Sequence, residues 1–438
     1  MSKKIDRRDF IKGAAITGAG LALGGGLLYG RRALAELLAA GQADIDRAIR
    51  DHKQGLISDE NAQATVEAYM TSGGGPGYSR VVHVHDPDAT SWNGSGWYGN
   101  AVSQSVVSDM MRTGLQRLTG QSSWDGIWSA LFTQVQPLGY QAGQKIAIKV
   151  NFNNSGEGCG DNDSEIDALP QPVSALIAGL LQAGVQEQDI WLYDATKGGR
   201  YIPDRFRVPI ANAYPNVSFY GKGECSGVQQ STFTGVDASL QVTFSDPDGN
   251  LTSRLLPDLL YYATYVINMP ILKQHGIHPV TLGFKNHFGS LNNIIRGGND
   301  DLHAYISPSN SLYDSNYSPL VDIYINPNIK NKTILIIGDG LYAAPGATQA
   351  PTQWATFGND YPNSLFFAVD PVAMDCVMTD FVVTEWTWIK SHAHDYLFCA
   401  QEAGLGTCEG TRSNPGGDPW QAPYGSGYED IEYIRVTS

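Results

Sequence analysis

Lys145-Ile146-Ala147-Ile148-Lys149-Val150-Asn151-Phe152-Asn153 is the stretch that decides the fold. Ile146, Ile148, Val150 and Phe152 fall on one side, and Ala147, Lys149, Asn151 and Asn153 on the other. That two-residue period is a β-strand with one wholly apolar face. A lysine in such a strand must reach the end of the sheet or find a partner, because a lone buried charge is costly.

Outward from this strand the chain alternates. Further strands are expected at 81–85, 190–194, 265–269, 333–339 and 365–370, with weaker ones at 217–220 and 240–244. Helical spacing covers 102–119, 124–135, 172–183, 371–383 and 391–403. Strands alternating with helices predict βαβ units: an α/β fold whose largely parallel sheet has flanking helices in Rossmann-like layers. The domain is expected over 79–410, with an N-terminal helical arm at 36–78 and a loop-rich C-terminal tail at 411–438.

The first 35 residues read differently. Arg7-Arg8-Asp9-Phe10-Ile11-Lys12 opens a basic segment, a glycine-broken apolar stretch follows to Gly30, and Ala33-Leu34-Ala35 offers small residues for cleavage. The paired arginines resemble the twin-arginine export signal, which implies passage of a folded chain through the twin-arginine translocase. The apolar stretch holds seven glycines and four leucines, a poor spanning helix. Cleavage after Ala35 is therefore expected, leaving no stable membrane span and a periplasmic or extracellular protein. Loss of this leader takes the formal charge from −15 to −20. So acidic a chain lacks the clustered Lys and Arg that nucleic acid requires.

Five cysteines with no Cys-x-x-Cys argue against an iron–sulfur run and weaken structural zinc. Cys399 and Cys408, closest in sequence, are the expected disulfide in an oxidising compartment, and Cys376 is expected as a buried core thiol.

Five strands end in polar groups: Lys149 with Asn151, Asp194, Asn268, Asp339 and Asp370. In open parallel sheets the ligand crevice lies beyond the strands' carboxyl ends, so these describe one polar mouth. Asp and Asn also end strands as turns and caps, and Asp370-Pro371 has the form of a helix cap. Turns do not call for Lys149, Lys273, His275 or Lys285. Pro279 and Gly289 are expected to bound a short helix whose last turn carries Lys285 and Asn286. Ammonium groups, an imidazole and carboxamides suit a carboxylate or phosphate better than a metal.

Lys149-Val150-Asn151, Asn268-Met269-Pro270 with Leu272-Lys273-Gln274-His275, Lys285-Asn286-x-Phe288-Gly289 and Asp370-Pro371-Val372-Ala373-Met374-Asp375 stand in the order seen in the domain of unknown function 362 family, which the chain resembles over roughly 79–410. Many members carry ferredoxin-type clusters, which this chain lacks, and the resemblance implies no particular reaction or cofactor. Lys149, Asn151, Lys273, His275, Lys285 and Asn286 are the positions matching its polar motif residues.

The expectation is an exported enzyme or cofactor-binding protein with an anion site at the strand ends. Lys149, Asn151, Asn268, Lys285 and Asn286 would bind an anionic small molecule, with His275 and Lys273 as catalytic candidates and His275 as general acid or base. The alternative is a non-catalytic accessory or binding protein of an exported redox system, marked by a broad apolar patch near Trp92 to Tyr98 or Trp386 to Trp388. Asp161-x-Asp163-x-Glu165-x-Asp167 lacks the glycine and final glutamate of a calcium loop and reads as solvated and acidic. His83-x-His85 and His392-x-His394 read as surface or core histidines rather than metal ligands.

Overall fold

Eleven strands form the main sheet of the computed structural model, which describes residues 79–195, 200–389 and 391–437 together with the backbone of Leu21–Leu23 and Leu27–Tyr29. The expected signal and helical arm otherwise lie outside the described residues. The chain divides into two compact units. One contains 1–77 and 116–140, and in it the helix Trp124–Phe132 starts where the Ser123 side chain accepts from the Gly126 N–H. The other contains 78–115 and 141–438 and holds the sheet.

In chain order the elements that build the site are β1 (Arg80–His85), β2 (Lys145–Lys149), α1 (Pro170–Gln182), β3 (Ile190–Tyr193), β4 (Ser218–Gly221), β5 (Val228–Gln230) and β6 (Ala263–Asn268). After them come β7 (Ile271–Gln274), β8 (Val280–Thr281), α2 (Gly283–Asn286), β9 (Thr333–Ala344), β10 (Ser364–Ala368), α3 (Pro371–Glu385), α4 (Asp395–Glu402) and β11 (Glu432–Thr437). The strand order is β11-β1-β10-β9-β6-β2-β3-β4-β5, with β7 and β8 attached beside β9. From β9 to β5 every neighbour is parallel. The α/β architecture with a mostly parallel sheet is as the alternation predicts.

β10 departs from the parallel run. It is antiparallel to both β9 and β1, so its carboxyl end lies at the opposite edge from those of β2, β3 and β6. Asp370 therefore leaves the expected mouth. Its side chain caps α3, accepting from the N–H groups of Val372 and Ala373, and also takes Thr407 N–H. Periodicity identifies a strand but carries no direction, so it cannot separate Asp370 from the residues at the other edge. The tail also departs from expectation, because its last residues form β11, a parallel edge strand on β1.

α3 is buried on all sides from Pro371 to Val383. It reaches the sheet because Gly338 on β9 has no side chain where a Cβ would strike Met378. The expected strand at 240–244 shrinks to Gln241–Val242, which pairs with Arg254–Leu255 outside the main sheet. The expected Cys399–Cys408 bridge is not formed. Cys159 and Cys225 are joined instead, with Cα atoms 5.3 Å apart, and Cys399 is held by the α4 helix with its thiol directed to the Ser315 carbonyl at 3.4 Å. Sequence proximity is a poor guide here, since the Cys159–Cys225 separation is 66 residues.

Candidate functional site

Lys149 ends β2 level with Asn268 on β6 and Tyr193 on β3. It is fully buried, and its ammonium makes the contacts the strand pattern demands. Nζ lies 3.2 Å from Asp194 Oδ1 and donates to Asn286 Oδ1 at 3.2 Å and to the Val150 carbonyl. Asp194 Oδ2 in turn accepts from Phe152 N–H at 2.8 Å. Burial pulls the Lys149 pKa down and Asp194 opposes this. The close approach requires Gly289, where a Cβ would strike both Asp194 and Lys149.

Three carboxamides extend the contact. Asn151 Nδ2 donates to Asn286 Oδ1 at 3.0 Å, Asn286 Nδ2 donates to Asn268 Oδ1 at 2.8 Å, and Asn268 Nδ2 donates to the Gly283 carbonyl at 2.9 Å. All three side chains are buried. The α2 helix that carries Asn286 is anchored by Asp375 of α3, whose two oxygens accept from the N–H groups of Gly283 and Phe284. Lys285 and Asn286 occupy its last turn as expected, but Pro279 does not start it: 280–281 form β8 against β7.

Lys273, at the same fold edge on β7, is fully buried. Its ammonium donates to Asn151 Oδ1 and to the Ile166 carbonyl, both at 3.2 Å. It makes no ion pair among the described residues. Burial lowers its pKa, and Asp167 is the strongest opposing charge; the same burial raises Asp167.

Lys285 is the exception in this group. Its side chain is 7 % exposed, and Nζ sits 4.3 Å over the Phe288 ring. Among the described residues it has neither a hydrogen bond nor an ion pair. Burial first, then the positive charges of Arg296, Lys273 and Arg200, bring its pKa down to about 7. Behind it Phe288 meets the His303 ring edge-on at 5.1 Å, and His303 stacks on His275 at 6.1 Å.

His275 Nδ1 accepts from the N–H groups of Ile277 at 3.1 Å and His278 at 3.3 Å. With Nδ1 an acceptor, the ring proton belongs on Nε2. Burial and the nearby Lys285 drive its pKa far below the usual histidine value. The geometry makes His275 a neutral hydrogen-bond donor at physiological pH, a different role from titration near neutrality.

The structure thus brings Lys149, Asn151, Asn268, Lys273 and Asn286 into one hydrogen-bonded network, and puts Lys285 and His275 in electrostatic range of Lys273. Arg200 and Arg296 were missed in the sequence. Arg200 donates to Asn153 Oδ1 at 3.2 Å, and both arginines depress the Lys285 pKa. The available signal was basic residues beside glycine pairs, in Gly198-Gly199-Arg200 and Arg296-Gly297-Gly298. Asp339 is buried in β9 and accepts from Leu341 N–H.

The acidic loop is not solvated throughout. Asp161 and Asp167 are buried, and Arg205 lies 3.3 Å from Asp161, 3.7 Å from Asp163 and 3.4 Å from Asp167. An arginine 38 residues beyond Asp167 is invisible to a local charge count. His83 is a satisfied core histidine, 2.8 Å from both Tyr433 Oη and Ser364 Oγ.

A family model described as domain of unknown function (DUF362) matches residues 146–380, more than half of the chain. A model of the twin-arginine translocation pathway signal sequence matches residues 4–24. No curated protein matches the chain. The family match spans every residue of the network described above. No helix among the described residues is long and apolar enough to cross a membrane.

Proposed function

The chain belongs to the domain of unknown function (DUF362) family, whose description carries no activity, and from the site we propose an exported enzyme or cofactor-binding protein that takes a carboxylate- or phosphate-bearing small molecule at the carboxyl ends of β2, β3 and β6. The observation that carries this reading is the Lys285 ammonium, buried over Phe288 with no ion pair or hydrogen bond among the described residues, and with Asp301 the one carboxylate against the positive charges of Arg296, Lys273 and Arg200. An uncompensated buried ammonium is costly, and a bound anion removes that cost.

The residues divide into two roles. Lys149, held by Asp194 and Asn286, fixes the frame together with Asn151 and Asn268. Lys285 meets the anion, with Lys273, Arg200 and Arg296 adding positive potential and His275 Nε2–H available as a neutral donor. With its pKa near 7, Lys285 is also the group best placed to exchange a proton at neutral pH. The accessory-protein alternative has less support. Trp97, Tyr98 and Trp386 are buried and Trp92 is half-buried, which leaves Trp388, 68 % exposed, as the one fully exposed tryptophan of those two stretches.

The test is thermal unfolding and calorimetric titration of the exported protein with phosphate, acetate and citrate, against chloride at equal ionic strength. Stabilisation by one class of anion, lost in Lys285→Met while the fold is retained, supports the reading. Indifference to all three, or an equal response in Lys285→Met, overturns it.

A further inference from the structure

Cys376 and Asp380 lie four residues apart on α3, and so on one face of that helix. His394, which precedes α4, brings its imidazole to them: Nε2 is 2.8 Å from Asp380 Oδ1. One ligand atom from each of the three residues falls within 4.8 Å of the others, and all three are buried. Cys408, from the loop after α4, lies outside that three-residue group, with its Sγ 3.6 Å from Cys376 Sγ. We propose that Cys376, Asp380 and His394 hold a divalent cation of the zinc class, with the Cys408 thiolate as fourth ligand.

The donors are two sulfurs, one imidazole and one carboxylate, a set that zinc takes in tetrahedral geometry. Two thiolates on one tetrahedral zinc sit about 3.8 Å apart, given bonds of about 2.3 Å, and the observed sulfur separation is close to that. The nitrogen and oxygen would be about 3.3 Å apart on the same ion, so the His394–Asp380 contact opens by about half an ångström. A buried histidine–carboxylate pair alone accounts for that one contact. It gives no reason for two thiols to meet there.

The surroundings already orient two of the ligands, Asp380 and Cys376, as metal sites require. Asp380 Oδ2 is held by Gly417 N–H at 2.9 Å and by the Tyr428 hydroxyl at 3.0 Å, leaving Oδ1 for the ion. Glu409 N–H points at Cys376 Sγ at 3.4 Å. Gly416, at φ 78°, passes so close that a Cβ would strike Asp380 and His394. The site is separate from the anion site, and His394 and Cys408 lie beyond the family-matched residues.

The full exported chain, purified under reductant and stripped with chelator, is titrated with Zn²⁺ and separately with Co²⁺. One equivalent of Zn²⁺ is expected, and the Co²⁺ form should show a thiolate-to-cobalt charge-transfer band with tetrahedral visible bands. Cys376→Ser abolishes the band. Tyr428→Phe, which removes one of the two hydrogen bonds on Asp380 Oδ2, weakens zinc by about tenfold. His392→Ala leaves both readouts unchanged. Should Cys376→Ser fail to fold, the wild-type cobalt spectrum decides on its own. A folded, reduced wild-type chain that takes no zinc, or a cobalt spectrum without thiolate bands, overturns the proposal. So does an exported protein whose mass is lower by two hydrogens at a Cys376–Cys408 disulfide and which takes no zinc after reduction.

Discussion

Asn286 Oδ1 accepts from Asn151 Nδ2 at 3.0 Å, and through that contact Lys149 and Lys273 share one hydrogen-bonded frame. Lys149 donates to the same Asn286 oxygen, while Lys273 donates to the other end of Asn151. Two ammonium groups of one charge are thereby spaced by carboxamides rather than by carboxylates. Of the two, only Lys149 has an ion-paired carboxylate among the described residues, and Lys273 adds to the positive charge around Lys285.

The coupling between the two asparagines is open to measurement. Asn286→Leu removes the acceptor for Lys149 and Asn151 and the donor to Asn268 at once, and each stranded buried group costs about 1–3 kcal/mol. Urea denaturation should show a loss of at least about 3 kcal/mol. In a double-mutant cycle, Asn151→Ala and Asn286→Ala should couple by about 1 kcal/mol. Simple additivity would show that the contact does not join the two lysines.

Lys149 and Asp194 form a buried pair at 3.2 Å, and removing one partner leaves the other charge uncompensated. Lys149→Met should cost about 3–5 kcal/mol, and Lys149→Met combined with Asp194→Leu should recover part of that loss. If the double variant is less stable than the single by the full cost of Asp194→Leu, the pair is not the structural unit described here.

Most of this frame was legible in the nine residues that begin with β2. The alternation from Lys145 to Asn153 put Lys149 and Asn151 on the polar face, and the network forms on that face. Lys285 and Asn286 were placed in the last turn of a short helix, where they stand. Strand direction was not legible, because a two-residue period is the same either way along the chain; hence Asp370, which caps α3 at the far edge. Long-range partners were equally hidden. Arg205 gathers Asp161 and Asp167, and Cys225 bonds Cys159, across separations that no local pattern records. The neutral state of His275 depends on its burial and on nearby Lys285, and its tautomer on two backbone N–H groups in its own loop; local sequence does not reveal those.

Export depends on residues outside the described structure. The twin-arginine signal match at 4–24 contains Arg7 and Arg8. Replacing both by Lys should leave precursor inside the cell, detected by immunoblot of cell fractions. Intact mass of the exported form should correspond to a chain beginning at Glu36. Normal export of the double variant would remove the paired arginines from the mechanism, and a different N-terminus would move the cleavage site.

Lys285 gives the last prediction, in which stability and binding run in opposite directions with pH. Its native pKa is about 7, against about 10.4 for an unfolded lysine. Between those values the unfolded chain binds more protons than the native one, so this group makes stability rise with pH. Below about 7 both states carry the proton and the full burial penalty is present; above about 10 neither does, and the penalty is gone. Anion binding needs the ammonium form, so affinity should fall as pH rises through about 7. Denaturation of wild type and Lys285→Met from pH 6 to pH 10, each with and without the best-binding anion, separates the two effects. The wild type should gain stability relative to the variant as pH rises, and lose anion affinity over the same range. Parallel stability curves for the two proteins would mean that the Lys285 ammonium carries no burial penalty, and pH-independent affinity would mean that it does not hold the anion.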